Sequence, residues 1–262
     1  MARNSPCRWE RTSGISSVER LRFRRLTFTT TPEYNPAWMP DSRHVIFDSR
    51  NEAGLVQIMK KAADGAGPSE VIVPAPAGYP NTISGDSRFL VYHTAAQQPI
   101  AMLWPLTTGG PVRPLVPVKT PTALFNAETS PDGRWIAYQS SESGRFEIFV
   151  RPFPETDKGQ WQVSSSGGAY PHWAPGGREL TFIAGGGALS SVAVAVSATF
   201  AHELAASLFQ AGQYHTDAAR NYDVSRDGKR FLFVKNVSAA NRPSMVVVSG
   251  WIHEVSAKMK SH

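Results

Sequence analysis

The sequence predicts an all-β protein, a β-propeller built from four-stranded antiparallel blades. The first observation is a short phrase that occurs five times along the 262 residues, each time as a strand, a tight turn and a second strand. The second is the spacing of these copies, 44 to 51 residues, which is typical of propeller blades. The third is the alternation of apolar and polar residues after each turn, as expected for strands with one buried face. The turn position of the five copies, from first to fifth, is held by Asp41, Asp86, Asp132, Gly176 and Asp227.

The turns are predicted from Pro-Asp-Gly and its variants. Aspartate accepts hydrogen bonds from the backbone ahead of it, and glycine reaches backbone angles that other residues avoid. A third strand is predicted about ten residues after each second strand, at 56–59, 100–105, 146–151, 189–196 and 245–251. A fourth, more polar strand follows in four copies, at 70–73, 112–116, 161–164 and 206–210.

The fifth copy has no predicted fourth strand. Arg24–Phe28 reads as an unpaired outer strand ahead of the first copy, and pairing it with the last blade would close the ring and remove two sheet edges. The alternative is that this strand belongs to a further blade. The sequence therefore predicts five recognisable repeats, in a five-bladed or an incomplete six-bladed ring.

Charge and composition divide the chain into three parts. Residues 1–23 are predicted to be a basic, disordered tail, residues 24–252 the propeller, and residues 253–262 a C-terminal tail. Residues 1–25 hold seven arginines against two glutamates, so they carry +5 of the net charge of +6. Such a tail would suit an anionic surface. Because its arginines are accompanied by only two aromatic residues, Trp9 and Phe23, we favour a disordered leader and expect no nucleic-acid binding.

The remaining composition limits the class of protein. No apolar run reaches the roughly 18 residues of a membrane span, and no signal peptide is visible. The single cysteine, Cys7, rules out a disulfide framework.

The motifs of common enzyme classes are missing from the sequence. It has no Gly-x-Ser-x-Gly nucleophile elbow, no phosphate-binding glycine loop with Lys-Ser/Thr, no His-Glu-x-x-His and no EF-hand spacing. The seven histidines are scattered. We therefore expect a protein that is not an enzyme and that has no cofactor and no metal, although a propeller can bring scattered residues together around its axis.

Several segments resemble a known family. Asn35-Pro-Ala-Trp-Met-Pro-Asp-Ser-Arg43, preceded by Arg-Leu-Thr-Phe, resembles the TolB-type propeller repeat. The second half is more specific: Glu128–Tyr138, Phe146–Pro154 and Tyr222–Leu232 resemble the C-terminal propellers of bacterial eukaryotic-type serine/threonine protein kinases. The resemblance covers residues 24–252 and implies an extracytoplasmic interaction or sensor module. It departs from the family in having five visible repeats instead of six and no kinase domain.

Candidate binding residues lie in two sets of loops at one end of the blades. The leading loops precede each innermost strand. In four copies they carry an aromatic residue three or four positions before the one that holds Trp38 in the first copy. The loops between the second and third strands carry polar residues. The predicted binding residues are Tyr34, Tyr79, Phe125, Tyr170, His172, Arg220, Tyr222, Arg50, Glu52, His93, Glu142 and Arg145. Packing between adjacent blades is the alternative role for the aromatic residues, and ordinary turn chemistry is the alternative for Glu52 and Glu142.

The sequence thus favours a monomeric, non-catalytic scaffold that binds a protein or peptide partner through one face. Two alternatives stay open. One is a propeller hydrolase of the esterase or lactonase type, or the propeller part of a peptidase. The other is a sensor domain detached from a membrane kinase. The compartment is not determined by the sequence, and the resemblance implies a periplasmic or extracytoplasmic one.

Overall fold

The computed structural model describes residues 16–19, 22–108, 110–117, 122–195, 199–212, 222–225, 227–228, 230–236 and 243–249. Within these ranges every regular element is a β-strand, which confirms the all-β prediction. The chain divides into two compact units, Met1–Phe125 and Asn126–His262. The predicted C-terminal tail, residues 253–262, lies outside the described residues.

Unit 1 begins with a hairpin and continues with the first two repeats. The hairpin pairs β1 (Ser16–Glu19) with β2 (Arg22–Arg25). The first repeat forms a sheet of order β3-β4-β5-β6, with β3 (Tyr34–Trp38), β4 (His44–Arg50), β5 (Val56–Ala62) and β6 (Glu70–Val73). The second forms a sheet of order β7-β8-β9-β10, with β7 (Gly78–Ile83), β8 (Phe89–Thr94), β9 (Ala101–Pro105) and β10 (Arg113–Pro114).

The strand predicted at 24–28 differs from the one observed. Strand β2 ends at Arg25 and pairs with β1, its neighbour in sequence, because a short hairpin satisfies the backbone groups of both strands locally. Leu26 directly follows β2 and is buried against Phe47 and Met59 of the first sheet.

Unit 2 holds the third, fourth and fifth repeats. The third sheet, whose first two residues precede the boundary, has the order β11-β12-β13-β14, with β11 (Leu124–Thr129), β12 (Trp135–Ser140), β13 (Glu147–Pro152) and β14 (Trp161–Gln162). In the fourth sheet β17 pairs with both outer segments, and its strands are β15 (Gly168–Trp173), β16 (Glu179–Ala184), β17 (Ala188–Ala195), β18 (Ala201–His202) and β19 (Ala206–Gln210). The fifth sheet has three strands in the described residues, β20 (Tyr222–Val224), β21 (Arg230–Asn236) and β22 (Pro243–Ser249).

The turns between first and second strands form as the sequence predicts. In the second repeat the Asp86 carboxylate accepts hydrogen bonds from the Ser84 hydroxyl at 2.6 Å, the Arg88 backbone at 3.0 Å and Arg88 Nε at 2.5 Å. The residue after the turn position has a positive φ in all five copies, at Ser42, Ser87, Gly133, Gly177 and Gly228. The repeated phrase is therefore a self-contained turn whose side chains bond its own backbone.

The cores lie between neighbouring sheets within each unit. In unit 1, Ile46 and Ile58 of the first sheet pack with Leu90 and Tyr92 of the second. In unit 2, the third and fourth sheets share one core, and the fourth and fifth share another around Leu189, Tyr222 and Phe231. Face-to-face packing of successive sheets is the way in which propeller blades bury their apolar residues.

The innermost strands contain a bulge that recurs between copies. The pairing register shifts between Tyr34 and Ala37, between Pro80 and Thr82 and between Ala169 and His172. Asn35, Asn126 and Tyr170 have positive φ values of 50°, 51° and 57° at the same place in their repeats. A bulge rotates the following side chains relative to the strand before it, so it sets where the residues at positions 37, 82, 128 and 172 lie.

Candidate functional site

One position of the repeat carries ionisable residues in the three copies of unit 2. It lies four residues before the turn position on each innermost strand, and it holds Ala37, Thr82, Glu128, His172 and Asp223. Strands β11, β15 and β20 therefore place a carboxylate, an imidazole and a carboxylate at equivalent points of successive sheets.

These three side chains form a continuous row, here called the His172 row. Nδ1 of His172 lies 2.8 and 2.9 Å from the two carboxylate oxygens of Glu128. Nε2 of the same ring lies 3.2 Å from Oδ1 of Asp223. A neutral imidazole donates from only one nitrogen, so the ring donates to both carboxylates only when it is protonated. The row is therefore suited to holding an imidazolium between two acids.

Neighbouring groups fix the His172 row in place. The indole nitrogen of Trp173 donates to the backbone oxygen of Glu128 at 3.1 Å. The Tyr222 ring meets His172 edge-on at 5.9 Å, and its hydroxyl donates to the backbone oxygen of Tyr170 at 2.7 Å. The Glu128 and His172 side chains are 18% and 11% exposed, but that of Asp223 is 40% exposed. Solvent and ligands therefore reach the row at Asp223.

A second group of predicted residues comes together in unit 1. The His93 ring lies 5.3 Å from Tyr79 and 5.4 Å from Phe125, with the latter contact edge-on. Nδ1 of His93 lies 3.2 Å from Oδ1 of Asn81. Burial among these rings lowers the pKa of His93 to about 4, so this histidine is neutral near pH 7. These contacts show the rings packing together at the end of the strands, and their role in binding stays a prediction.

The other predicted residues have more local roles. Tyr34 is exposed at the start of β3, and Arg50 donates to the backbone oxygen of Gly54 at 2.7 Å within its own turn. Glu52 and Glu142 are exposed on their loops. Arg220 lies outside the described residues.

Arg145 belongs to a tight polar cluster. Its Nε donates to Oε1 of the buried Glu147 at 2.6 Å, and the same carboxylate accepts from Ser164 and from the Gly167 backbone. Burial acts to raise the pKa of Glu147, but these hydrogen bonds and the Arg145 charge outweigh it and hold the pKa below its usual range. This cluster holds the Gly167 loop against β13.

Sequence reasoning found His172, Tyr170 and Tyr222 but missed Glu128 and Asp223. The available signal was the shared position four residues before each turn, which holds an ionisable residue from the third copy onward. Among the described residues, no three His, Cys, Asp or Glu side chains are arranged to hold a metal ion, and no helix is long and apolar enough to cross a membrane.

Comparison with protein-family models gives no match, and comparison with curated proteins gives none either. Solved structures do match. TolB from Acinetobacter baumannii is 17% identical with a TM-score of 0.68, over 90% of this chain and 56% of that one. A putative TolB from Agrobacterium tumefaciens is 18% identical with a TM-score of 0.64, over 88% and 81%. An oligogalacturonate lyase from Vibrio parahaemolyticus is 12% identical with a TM-score of 0.63, over 92% and 73%.

The chain thus spans just over half the length of the A. baumannii TolB that it matches. At these identities the likeness shows the fold alone.

The expectation that this protein is not an enzyme is contradicted by these comparisons. The fold is shared with the lyase above, with a periplasmic gluconolactonase from Pseudomonas aeruginosa and with a puromycin-hydrolyzing peptidase from Mycobacterium tuberculosis. The absence of contiguous enzyme motifs does not exclude an enzyme with this fold, because successive sheets bring residues together that are distant in sequence. Glu128 and His172 are 44 residues apart in sequence, and only the stacking of successive sheets brings them into contact.

The repeated turn, the four-stranded sheets, the cores between successive sheets and the matched structures lead to one conclusion. The chain has the TolB-like β-propeller fold.

Proposed function

We propose that this protein binds a protein or peptide partner through its leading loops and the loops between second and third strands. The observation that carries the proposal is that these loops expose large apolar side chains in each unit. Tyr34 begins β3 and is 43% exposed, while Leu55 and Phe146 occupy equivalent loop positions and are 47% and 39% exposed. Tyrosine, phenylalanine and leucine give contact area at low entropic cost when a partner covers them.

The test uses a phage-displayed library of random 12-residue peptides as the probe. A selected peptide is synthesised, and its affinity is measured by fluorescence anisotropy for wild type, Tyr34→Ser, Leu55→Ser and Leu204→Ser. Leu204 is the control, because it is 93% exposed but lies in the linker between β18 and β19 at the other end of the fourth sheet.

We expect affinity to fall about tenfold in the first two variants, as for a contributing interface residue, and to be unchanged in the control. A library that yields no binding peptide contradicts the proposal. So does an equal loss of affinity in Leu204→Ser.

The resemblance to kinase propellers would make the same surface the sensing surface of a signalling protein. This origin remains a prediction. The exposed loop residues support binding without distinguishing a detached sensor from any other binding propeller.

A second candidate function, acid–base catalysis, is favoured by the His172 row. Glu128 fixes the orientation of His172, and the ring in turn contacts the exposed Asp223, so a proton can pass between the buried imidazole and a carboxylate that solvent reaches. The names of the matched lyase and lactonase suggest lactones and uronides as first substrates to try.

Turnover of gluconolactone, p-nitrophenyl acetate and oligogalacturonate is therefore to be measured for wild type and His172→Gln. Activity that disappears in the variant supports this candidate. Rates equal to buffer for all three substrates reject it.

A further inference from the structure

A second polar cluster lies in unit 1, where the segment before β3 meets β4. Glu33 and Asp48 are 5% and 3% exposed, so two carboxylates are withdrawn from water in one small region. Buried carboxylates are costly unless hydrogen bonds or counter-charges compensate them.

Asp48 is partly satisfied by its neighbour. Asn35 Nδ2 donates to Asp48 Oδ1 at 2.7 Å, across the pair of strands that carries the recurring bulge. Burial raises the pKa of Asp48 to about 6, and the charge of Glu33 acts in the same direction. The Asn35 bond and the charge of Arg50 oppose this rise.

Only one of the two carboxylate oxygens of Glu33 is hydrogen-bonded. The hydroxyls of Thr27 and Thr29 hydrogen-bond its carboxylate, yet its Oε2 is buried and has no hydrogen-bond partner among the described residues. It is also the one buried side-chain oxygen or nitrogen in the described chain with this status. An orphaned buried oxygen of this kind points to a bound ion or water.

The charges of nearby cationic side chains lower the pKa of Glu33, but these side chains do not hydrogen-bond its Oε2. Lys61 is buried and its charge reaches Glu33, but its Nζ donates to the backbone oxygen of Gly67 at 2.5 Å. Arg25 donates from Nε to the backbone oxygen of Thr27 at 2.7 Å. A proton on Glu33 would remove the charge, but it would leave a buried hydroxyl that needs a partner of its own.

The region around Glu33 and Asp48 holds several side-chain oxygens that can act as metal ligands. Besides the two carboxylates they include the hydroxyls of Thr27 and Thr29, and the hydroxyls of Thr31 and Ser49, which lie 3.4 Å apart. Two carboxylates with neutral oxygens are the ligands that Ca²⁺ prefers, whereas soft metals prefer thiolate or imidazole. The cluster holds only two residues of the His, Cys, Asp and Glu class, so such a site would complete its shell with hydroxyl, backbone or water oxygens.

We propose that Glu33 and Asp48 bind a hard divalent cation of the calcium type between the segment 27–33 and strand β4. The ion would tie the loop that leads into the first innermost strand to the first sheet. The orphaned Oε2 of Glu33 and the second carboxylate at Asp48 are its anionic ligands. This site is separate from the His172 row and does not depend on the proposed function.

The probe is CaCl₂, titrated calorimetrically into the full chain at pH 7.5 after treatment with EDTA, with MgCl₂ titrated in parallel. Thermal denaturation in EDTA and in CaCl₂ gives a second readout. We expect saturable Ca²⁺ binding with a raised unfolding midpoint. Glu33→Gln and Asp48→Asn should each weaken binding by at least about tenfold, as loss of a charged ligand does.

Glu52→Gln is the matched control, because it removes one exposed carboxylate from the same unit. It should bind Ca²⁺ as wild type does. If Glu33→Gln fails to fold, Asp48→Asn still tests the site, since asparagine keeps the acceptor oxygen for Asn35. Absence of Ca²⁺ binding in wild type overturns the proposal, and so does binding that survives both substitutions, which would place the ion elsewhere.

Discussion

Replacing Asp48 by asparagine isolates the energetic cost of a buried charge in this fold. The side chain is 3% exposed, and its carboxylate accepts a hydrogen bond from Asn35 at 2.7 Å. Asparagine has nearly the same shape and retains an acceptor oxygen for that bond, but it cannot ionise. The substitution therefore removes the titration of this group and little else.

The size of the effect follows from the pKa. Burial raises the pKa of Asp48 from 3.8 to about 6 in the folded protein, so the folded state binds the proton more tightly than the unfolded state. Stability is then lost as pH rises through this interval. A shift of roughly 2 units at about 1.4 kcal/mol each corresponds to about 3 kcal/mol between pH 4 and pH 7.

The assay is urea denaturation followed by tryptophan fluorescence at several values between pH 4 and pH 7.5, in EDTA so that no divalent cation contributes. Titrating groups other than Asp48 and its electrostatic neighbour Glu33 are common to both proteins and cancel in the difference. The free energy of unfolding of Asp48→Asn should rise relative to wild type by about 3 kcal/mol across this range. A difference that stays constant within about 0.5 kcal/mol would show that Asp48 has no raised pKa and refute the reasoning.

Two further predictions concern unit 1. Burial lowers the pKa of His93 to about 4 in the folded protein, so the stability that the neutral ring contributes is lost as pH falls from about 6.5, the pKa in the unfolded chain, towards 4. NMR titration of the ring should show a midpoint near 4, and a midpoint above 6 contradicts this. A Cβ at Gly78 would lie 1.9 Å from the backbone oxygen of His93, so Gly78→Ala should cost about 3 kcal/mol of unfolding free energy in thermal or urea denaturation. Gly176→Ala, where a Cβ meets nothing within 4 Å, should stay within about 0.5 kcal/mol of wild type, and equal losses in both would refute the steric argument.

Much of the fold could be predicted from the sequence because its main determinant is local. The Asp86 turn bonds its own backbone and side chains, so the four or five residues that form it are adjacent in the chain and recognisable by type. The strands at 70–73 and 206–210 begin and end where the alternating pattern places them. The strand at 24–28 was misplaced, because its pairing with β1 depends on a hairpin in a segment that composition alone marks as basic and irregular.

The candidate sites were only partly predictable. His172, Tyr170 and Tyr222 could be found because they follow the repeat, and Glu128 and Asp223 share a repeat position that was not compared between copies. Glu33 had no such signal. The equivalent residues in the next three copies are Gly78, Leu124 and Gly168, so nothing periodic marks a carboxylate at this position.

The sequence by itself determined the repeat, its turns, the number of recognisable copies and the all-β class, because each of these depends on residues within one turn or one strand. Only the tertiary structure decided that Glu128, His172 and Asp223 form one row and that Glu33 keeps an oxygen without a partner. Both features depend on how neighbouring sheets and segments pack against one another. Burial and contact between residues some 44 positions apart are properties of packed sheets, and a linear pattern does not contain them.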